Sequence, residues 1–153
     1  MNVMRNRFII FAIIALICSC NEYTLYTGKF VAFDLTSSDV TTINEAGDFT
    51  ATYYVHYSGV APKERFSVEY EVVPGDGLEE GRDYEVETSG RKLNFLPGVF
   101  TLPIRIHWLP NDIDPSKDNS VIIRLISGPE DITLGMPGPD MVNKEIKLIK
   151  YKN

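Results

Sequence analysis

From Phe30 to Lys150 the chain repeats in steps of two. Phe49, Ala51, Tyr53, Val55 and Tyr57 alternate with Thr50, Thr52, Tyr54 and His56. Phe66, Val68, Tyr70 and Val72 alternate with Ser67, Glu69 and Glu71; Phe100, Leu102, Ile104, Ile106 and Trp108 alternate with Thr101, Pro103, Arg105 and His107. Successive side chains of a strand point to opposite faces, so each run presents one apolar and one polar face. Shorter runs add to these. Phe30 and Ala32 share one side of a first strand, with Val31, Phe33 and Leu35 on the other, and Asp39–Asn44 continues it after a break at Ser37-Ser38. Leu93–Phe95, Val121–Leu125 and Glu145–Lys150 complete the set. Turn formers separate the runs at Gly59–Pro62, Pro74–Gly77, Pro97-Gly98, Pro110–Asp112 and Gly135–Pro139. No sustained helical period follows residue 20. Seven or so strands with one apolar face each predict two sheets packed face to face, an all-β, immunoglobulin-like β-sandwich.

The first nineteen residues follow another rule. Arg5 and Arg7 precede the apolar run Phe8–Ile17, which leads into Cys18-Ser19-Cys20. A basic start, an apolar stretch and a small residue before the cut describe a secretory signal peptide. The run is about half the length of a membrane-spanning helix. Leu16-Ile17-Cys18-Ser19-Cys20 resembles the bacterial lipoprotein box. The resemblance implies diacylglycerol on the Cys20 sulfur, cleavage before it and acylation of the new amine. Modification at Cys18 would place Ile17 where a small residue is wanted, so Cys20 is the lipidation site. Asn21, rather than an aspartate, resembles outer-membrane sorting. The expected organisation is a signal peptide over 1–19, a lipidated tether over 20–28 and a sandwich over 29–153, lipid-anchored in the bacterial cell envelope at the outer membrane.

Cleavage before Cys20 leaves 134 residues, one domain of ordinary size. Arg5 and Arg7 leave with the signal peptide, so 13 basic residues face 21 acidic ones. That balance excludes nucleic acid as a partner, because phosphate binding needs a basic face. With Cys20 lipidated no free thiol remains, which removes disulfides, thiolate metal sites and cysteine nucleophiles from the mature monomer. The domain folds by apolar burial alone.

Several motifs then fall into one order. Val68-Glu69-Tyr70-Glu71-Val72, Gly77, Gly81-Arg82-Asp83-Tyr84 and Leu93-Asn94-Phe95-Leu96-Pro97-Gly98 resemble the Calx-beta domain, whose strand reads V-x-Y, whose loop reads G-x-A-x-x-G-x-D-Y and whose turn reads L-x-F-x-x-G. Asn44-Glu45, Asn111-Asp112, Val121–Leu125 and Leu134-Gly135 extend the match across residues 30–150. The resemblance implies a seven-stranded Greek-key sandwich. Leu78 stands where the loop alanine belongs and Val99 where an acidic residue often follows the turn. Calcium-binding members end in an acidic segment, whereas this chain runs Lys144–Asn153 with a basic balance.

By that resemblance Glu45, Asp83, Asp112 and Asp114 are candidate Ca²⁺ ligands, with Asp118 beside them. Calcium takes six to eight oxygens, several from carboxylates. Asp112-x-Asp114 with Asp118 is not an EF-hand, since its sixth position is Lys117 and its twelfth Ile123. The other reading of the same residues is solvated turn acids, with Asp83 and Asp112 capping backbone donors. Convergence of Glu45, Asp83 and Asp112 would favour the ion. For a glycan the candidate platforms are Tyr54, on the polar register of its run, and Trp108, which ends an apolar face and serves equally as a core lid. For catalysis the residues offer little: His56 and His107 fall on polar registers, Glu79-Glu80 lies in a turn, and no nucleophile, zinc or phosphate motif occurs. Lys144, Lys147, Lys150 and Lys152 read as a charged guard on an exposed last strand, or as a docking edge. The reading is a non-enzymatic binding or accessory module for a glycan or another envelope protein. Small lipoproteins of this kind accompany glycan-uptake machinery, an analogy of type. The alternative is a calcium-stabilised structural or adhesion domain with no ligand of its own.

Overall fold

The structure is a computed structural model that describes residues 27–36 and 41–152. Cys20, the lipoprotein box and most of the tether lie outside the described residues. Among the described residues ten strands form: β1 (Lys29–Phe33), β2 (Thr42–Asn44), β3 (Phe49–Ser58), β4 (Phe66–Pro74), β5 (Tyr84–Val86), β6 (Lys92–Phe95), β7 (Thr101–Trp108), β8 (Ser120–Ser127), β9 (Ile132–Leu134) and β10 (Glu145–Tyr151). They make two five-stranded sheets, ordered β5-β7-β3-β1-β9 and β2-β10-β8-β4-β6. The alternation read in the sequence is the alternation of burial. Ala51, Tyr53, Val55 and Tyr57 of β3 and Ile104, Ile106 and Trp108 of β7 face Val68 and Tyr70 of β4, Val121, Ile123 and Leu125 of β8, and Ile146 and Leu148 of β10 across a single core. The predicted β-sandwich is the observed one.

Three details differ from the sequence expectation. The first strand does not continue through residues 39–44: β1 pairs with β3 in one sheet, while β2 runs parallel to β10 in the other. β5 and β9 add two strands of three residues each, too short to display a period. The last strand is not an edge. β10 lies between β2 and β8, and Lys150 follows Ile146 and Leu148 on its inward register, 1% exposed. The guard or docking-edge reading is corrected at that residue, because an interior strand offers no free edge and its inward side chains meet the core.

The β3–β7 register, from Phe49↔Trp108 to His56↔Thr101, defines two ends of the sandwich. At one end, where β1 begins opposite Ser58, lies an aromatic cluster. The Phe66 and Phe95 rings stack 4.8 Å apart, and Tyr57 meets Phe66 at 5.1 Å and Phe100 at 6.0 Å. At the other end Tyr84 tilts against Trp108 at 5.8 Å, beneath the loops that carry the acids.

Candidate functional site

The loop from β4 to β5 is shaped by its glycines. A Cβ on Gly75 would collide with the Asp118 carbonyl oxygen, and one on Gly77 with the Asn119 side-chain oxygen, so both admit a close approach. Gly81 has φ +88°, a left-handed conformation that glycine adopts without strain. This turn delivers Asp83 into the interior with no exposed surface. Its Oδ2 accepts from the Glu79 backbone N–H at 2.9 Å and the Arg82 Nε at 2.8 Å; its Oδ1 accepts from Asn111 Nδ2 at 2.8 Å.

Lys150 enters the same space from β10. Its Nζ lies 3.7 Å from Asp83 Oδ1 and donates to the Leu109 carbonyl at 2.7 Å. The Leu109 N–H in turn donates to the Asp83 carbonyl at 3.0 Å. Burial works to raise the Asp83 pKa, but the hydrogen bonds from Asn111, Arg82 and Glu79 outweigh it and hold the carboxyl below its ordinary value. Burial draws the Lys150 ammonium below the usual lysine value against the opposing pull of Asp83. Two buried charges cost several kcal/mol each to desolvate; three N–H bonds offset this for Asp83, and one hydrogen bond with the nearby carboxylate offsets it for Lys150.

Glu45 and Asp112 border this pair. The Glu45 N–H donates to the Tyr151 carbonyl and its own carbonyl accepts from the Asn111 N–H, which ties the β2–β3 loop to both β10 and the loop after β7. Lys152 Nζ stands 3.5 Å from Glu45 Oε2 and 3.7 Å from Asp112 Oδ1. Glu45 is largely covered, at 17% side-chain exposure, whereas Asp112 is 91% exposed. Glu45 and Asp112 thus share Lys152 while Asp83 meets Lys150, so lysine ammonium groups stand beside all three acids. Asp114 belongs elsewhere: its Oδ1 accepts from the Ser116 N–H at 2.9 Å and Oγ at 2.6 Å, and these bonds lower its pKa. The Asp118 N–H donates to Asp76.

Tested for calcium, the residues do not fit the ion as they stand. Among the described residues no group of three or more His, Cys, Asp or Glu side chains is arranged to hold a metal. The Asp83 oxygens already accept three N–H bonds, and the Leu109 carbonyl accepts from Lys150. Asp83 is also corrected as a solvated turn acid, although it does cap the Glu79 N–H. As a glycan platform Trp108 is corrected as well: it is wholly buried, with Nε1 donating to the Tyr53 hydroxyl at 3.4 Å, because it ends the inward register of β7. Tyr54 stands on the opposite, outer face of its sheet, across from Pro103, so the two do not form one site. His107 Nε2 lies 3.3 Å from Asp48 and its Nδ1 3.2 Å from Thr50 Oγ1, but that hydroxyl donates to Glu87 at 3.0 Å. The imidazole is thus not poised as a base on it.

The sequence reading gave Lys150 to an exposed guard or docking edge and did not single out Tyr151. The signal for Lys150 was its place two residues beyond Leu148 in the apolar register. Tyr151, on the outer register with Ile149, is 41% exposed.

No family model matches the sequence, and no curated protein matches it. Among solved structures the chain is similar to the crystal structure of the calcium binding domain CBD12 of CALX1.1, with a TM-score of 0.55 and 24% identity, over 80% of this chain and 44% of that one. This chain thus spans under half the length of that neighbour. The likeness establishes the fold, a Calx-beta-like, immunoglobulin-like β-sandwich.

Proposed function

We propose that the chain is a lipid-anchored, non-enzymatic binding or accessory module of the bacterial envelope, attached to the outer membrane through Cys20, with a glycan or another envelope protein as partner. The observation that carries the reading is the Leu16–Cys20 box followed, eight residues after Cys20, by a sandwich whose first strand opens at Lys29. Eight residues span at most about 28 Å. The tether therefore keeps the start of β1, at the aromatic end, within about 28 Å of the lipidated cysteine. Half-buried Tyr54 on the outer face of one sheet, and exposed Ile149 with Tyr151 on the outer face of the other, are aromatic and apolar surfaces that a partner could meet. The calcium-stabilised alternative draws on the neighbour's description as a calcium binding domain; the lysines among the acids oppose it.

Metabolic labelling with an alkyne fatty acid tests the anchor. The full chain expressed in a bacterium with lipoprotein processing is expected to label, lose residues 1–19 and partition with membranes, and Cys20→Ser to do none of these. Labelling that survives in C20S, or that requires Cys18 instead, overturns it. Glycan-array binding that falls with Tyr151→Ala or Tyr54→Ala supports a glycan; cross-linking to one envelope protein at those positions supports the protein partner.

A further inference from the structure

We infer that Lys150 is a built-in cation: its ammonium group, with Lys152 outside it, holds the place among Asp83, Glu45, Asp112 and the Leu109 carbonyl that a divalent ion would need, and frees the domain from calcium. The inference is independent of the lipid anchor.

Charge supports it first. Three carboxylates, Asp83, Glu45 and Asp112, face three cationic groups. Arg82 Nη2 lies 2.7 Å from Asp83, Lys150 Nζ 3.7 Å from Asp83, and Lys152 Nζ 3.5 and 3.7 Å from Glu45 and Asp112. Arg82 is shared with Glu79, at 3.4 Å, yet each of the three carboxylates has a cationic partner without a metal. Coordination supports it second. A calcium ion requires six to eight oxygens at about 2.3–2.6 Å. Here the oxygens nearest the interior already accept hydrogen bonds, and the ammonium group sits between the Asp83 carboxylate and the Leu109 carbonyl. Placement supports it third. Lys150 does not reach the acids from a mobile surface stem. It lies within β10, its N–H donating to the Asn119 carbonyl at 2.9 Å and its register fixed by β8 and β2. An ammonium group delivered by a paired interior strand is always present, unlike an ion that equilibrates with solvent.

The test is thermal unfolding of the full chain in detergent, read on Trp108, the single tryptophan, in EDTA and then in millimolar calcium. The wild-type midpoint is expected to agree within about 1 °C between the two, because a ligand that does not bind the native state adds no stability. Lys150→Met leaves Asp83 buried without its lysine partner; its midpoint is expected to fall by several degrees in EDTA and to recover in part with calcium, which enters the vacated position. A rise of several degrees in the wild type overturns the inference. So does a folded K150M protein that loses no stability, or one that calcium does not raise. If K150M does not fold, the wild-type comparison decides alone.

Discussion

The two ends of the sandwich close in opposite ways. At the end where β1 begins, Tyr57, Phe66, Phe95 and Phe100 close the core with ring contacts between 4.8 and 6.3 Å. At the other, Trp108 and Tyr84 form a floor, and above it a carboxylate and an ammonium group are buried side by side. The aromatic closure rests on packing between rings. The charged closure works only when both partners and their hydrogen bonds are present, because a lone buried charge is far more costly than a missing methyl group. The difference shows how one fold can carry acids at its loop end without an ion: the sequence supplies the counter-charge from an inward strand position.

The comparison is broken most severely by removing one partner of the charged closure. Asp83→Ala is expected to cost about 3–5 kcal/mol, since it strands Lys150 in the interior, and urea unfolding measures it. Phe95→Ala at the opposite end is expected to cost a similar amount, about 3–5 kcal/mol, through cavity formation. The two ends share no partners, so the two losses are expected to add within about 0.5 kcal/mol. Coupling well above that would mean the ends are not independent. Next in size is the neutral pair. Asp83→Asn with Lys150→Met is expected to be less destabilised than D83A alone, because the double variant leaves no buried ammonium group without its carboxylate. A double variant worse than the single would deny that charge is what the closure depends on.

Acid sharpens the contrast further. The Asp83 pKa is lowered in the folded state from its ordinary 3.8. Its contribution is therefore fully present above that value and is lost as pH falls through the folded pKa. Wild type and F95A are expected to lose stability in parallel below about pH 4, while D83N has a shallower slope there; parallel slopes in all three would remove Asp83 from the acid response. The smallest effect belongs to the outer lysine. Lys152→Ala is expected to cost about 0–1 kcal/mol, as its own side chain is exposed to solvent.

The long strands were legible because β3, β4 and β7 each alternate over eight to ten residues. β5 and β9, with three residues each, were not, since their pairing to β7 and β1 supplies what their own pattern lacks. The fate of residues 42–44 was also hidden: nothing local tells a strand which sheet to join, and β2 is held by β10, about a hundred residues later. At the site, the acids were legible as types and as loop positions. Their partner was half legible. Lys150 keeps the step of two set by Ile146 and Leu148, so its inward direction was available, but its meeting with Asp83 depends on two sheets closing across the core. Trp108 had a core reading available from its register, and the packing selects it.

β10 is the last strand in order and second in its sheet, joining β2 to β8. Until it arrives, β2 has no neighbour and Asp83 has no lysine. A chain emerging from its N-terminus, at a ribosome or across a membrane, therefore cannot complete this domain piece by piece. The first nine strands wait as an open clasp, and one segment, Glu145–Tyr151, supplies both the missing rung of the sheet and the missing charge. The second sheet is therefore whole only once the final strand is in place.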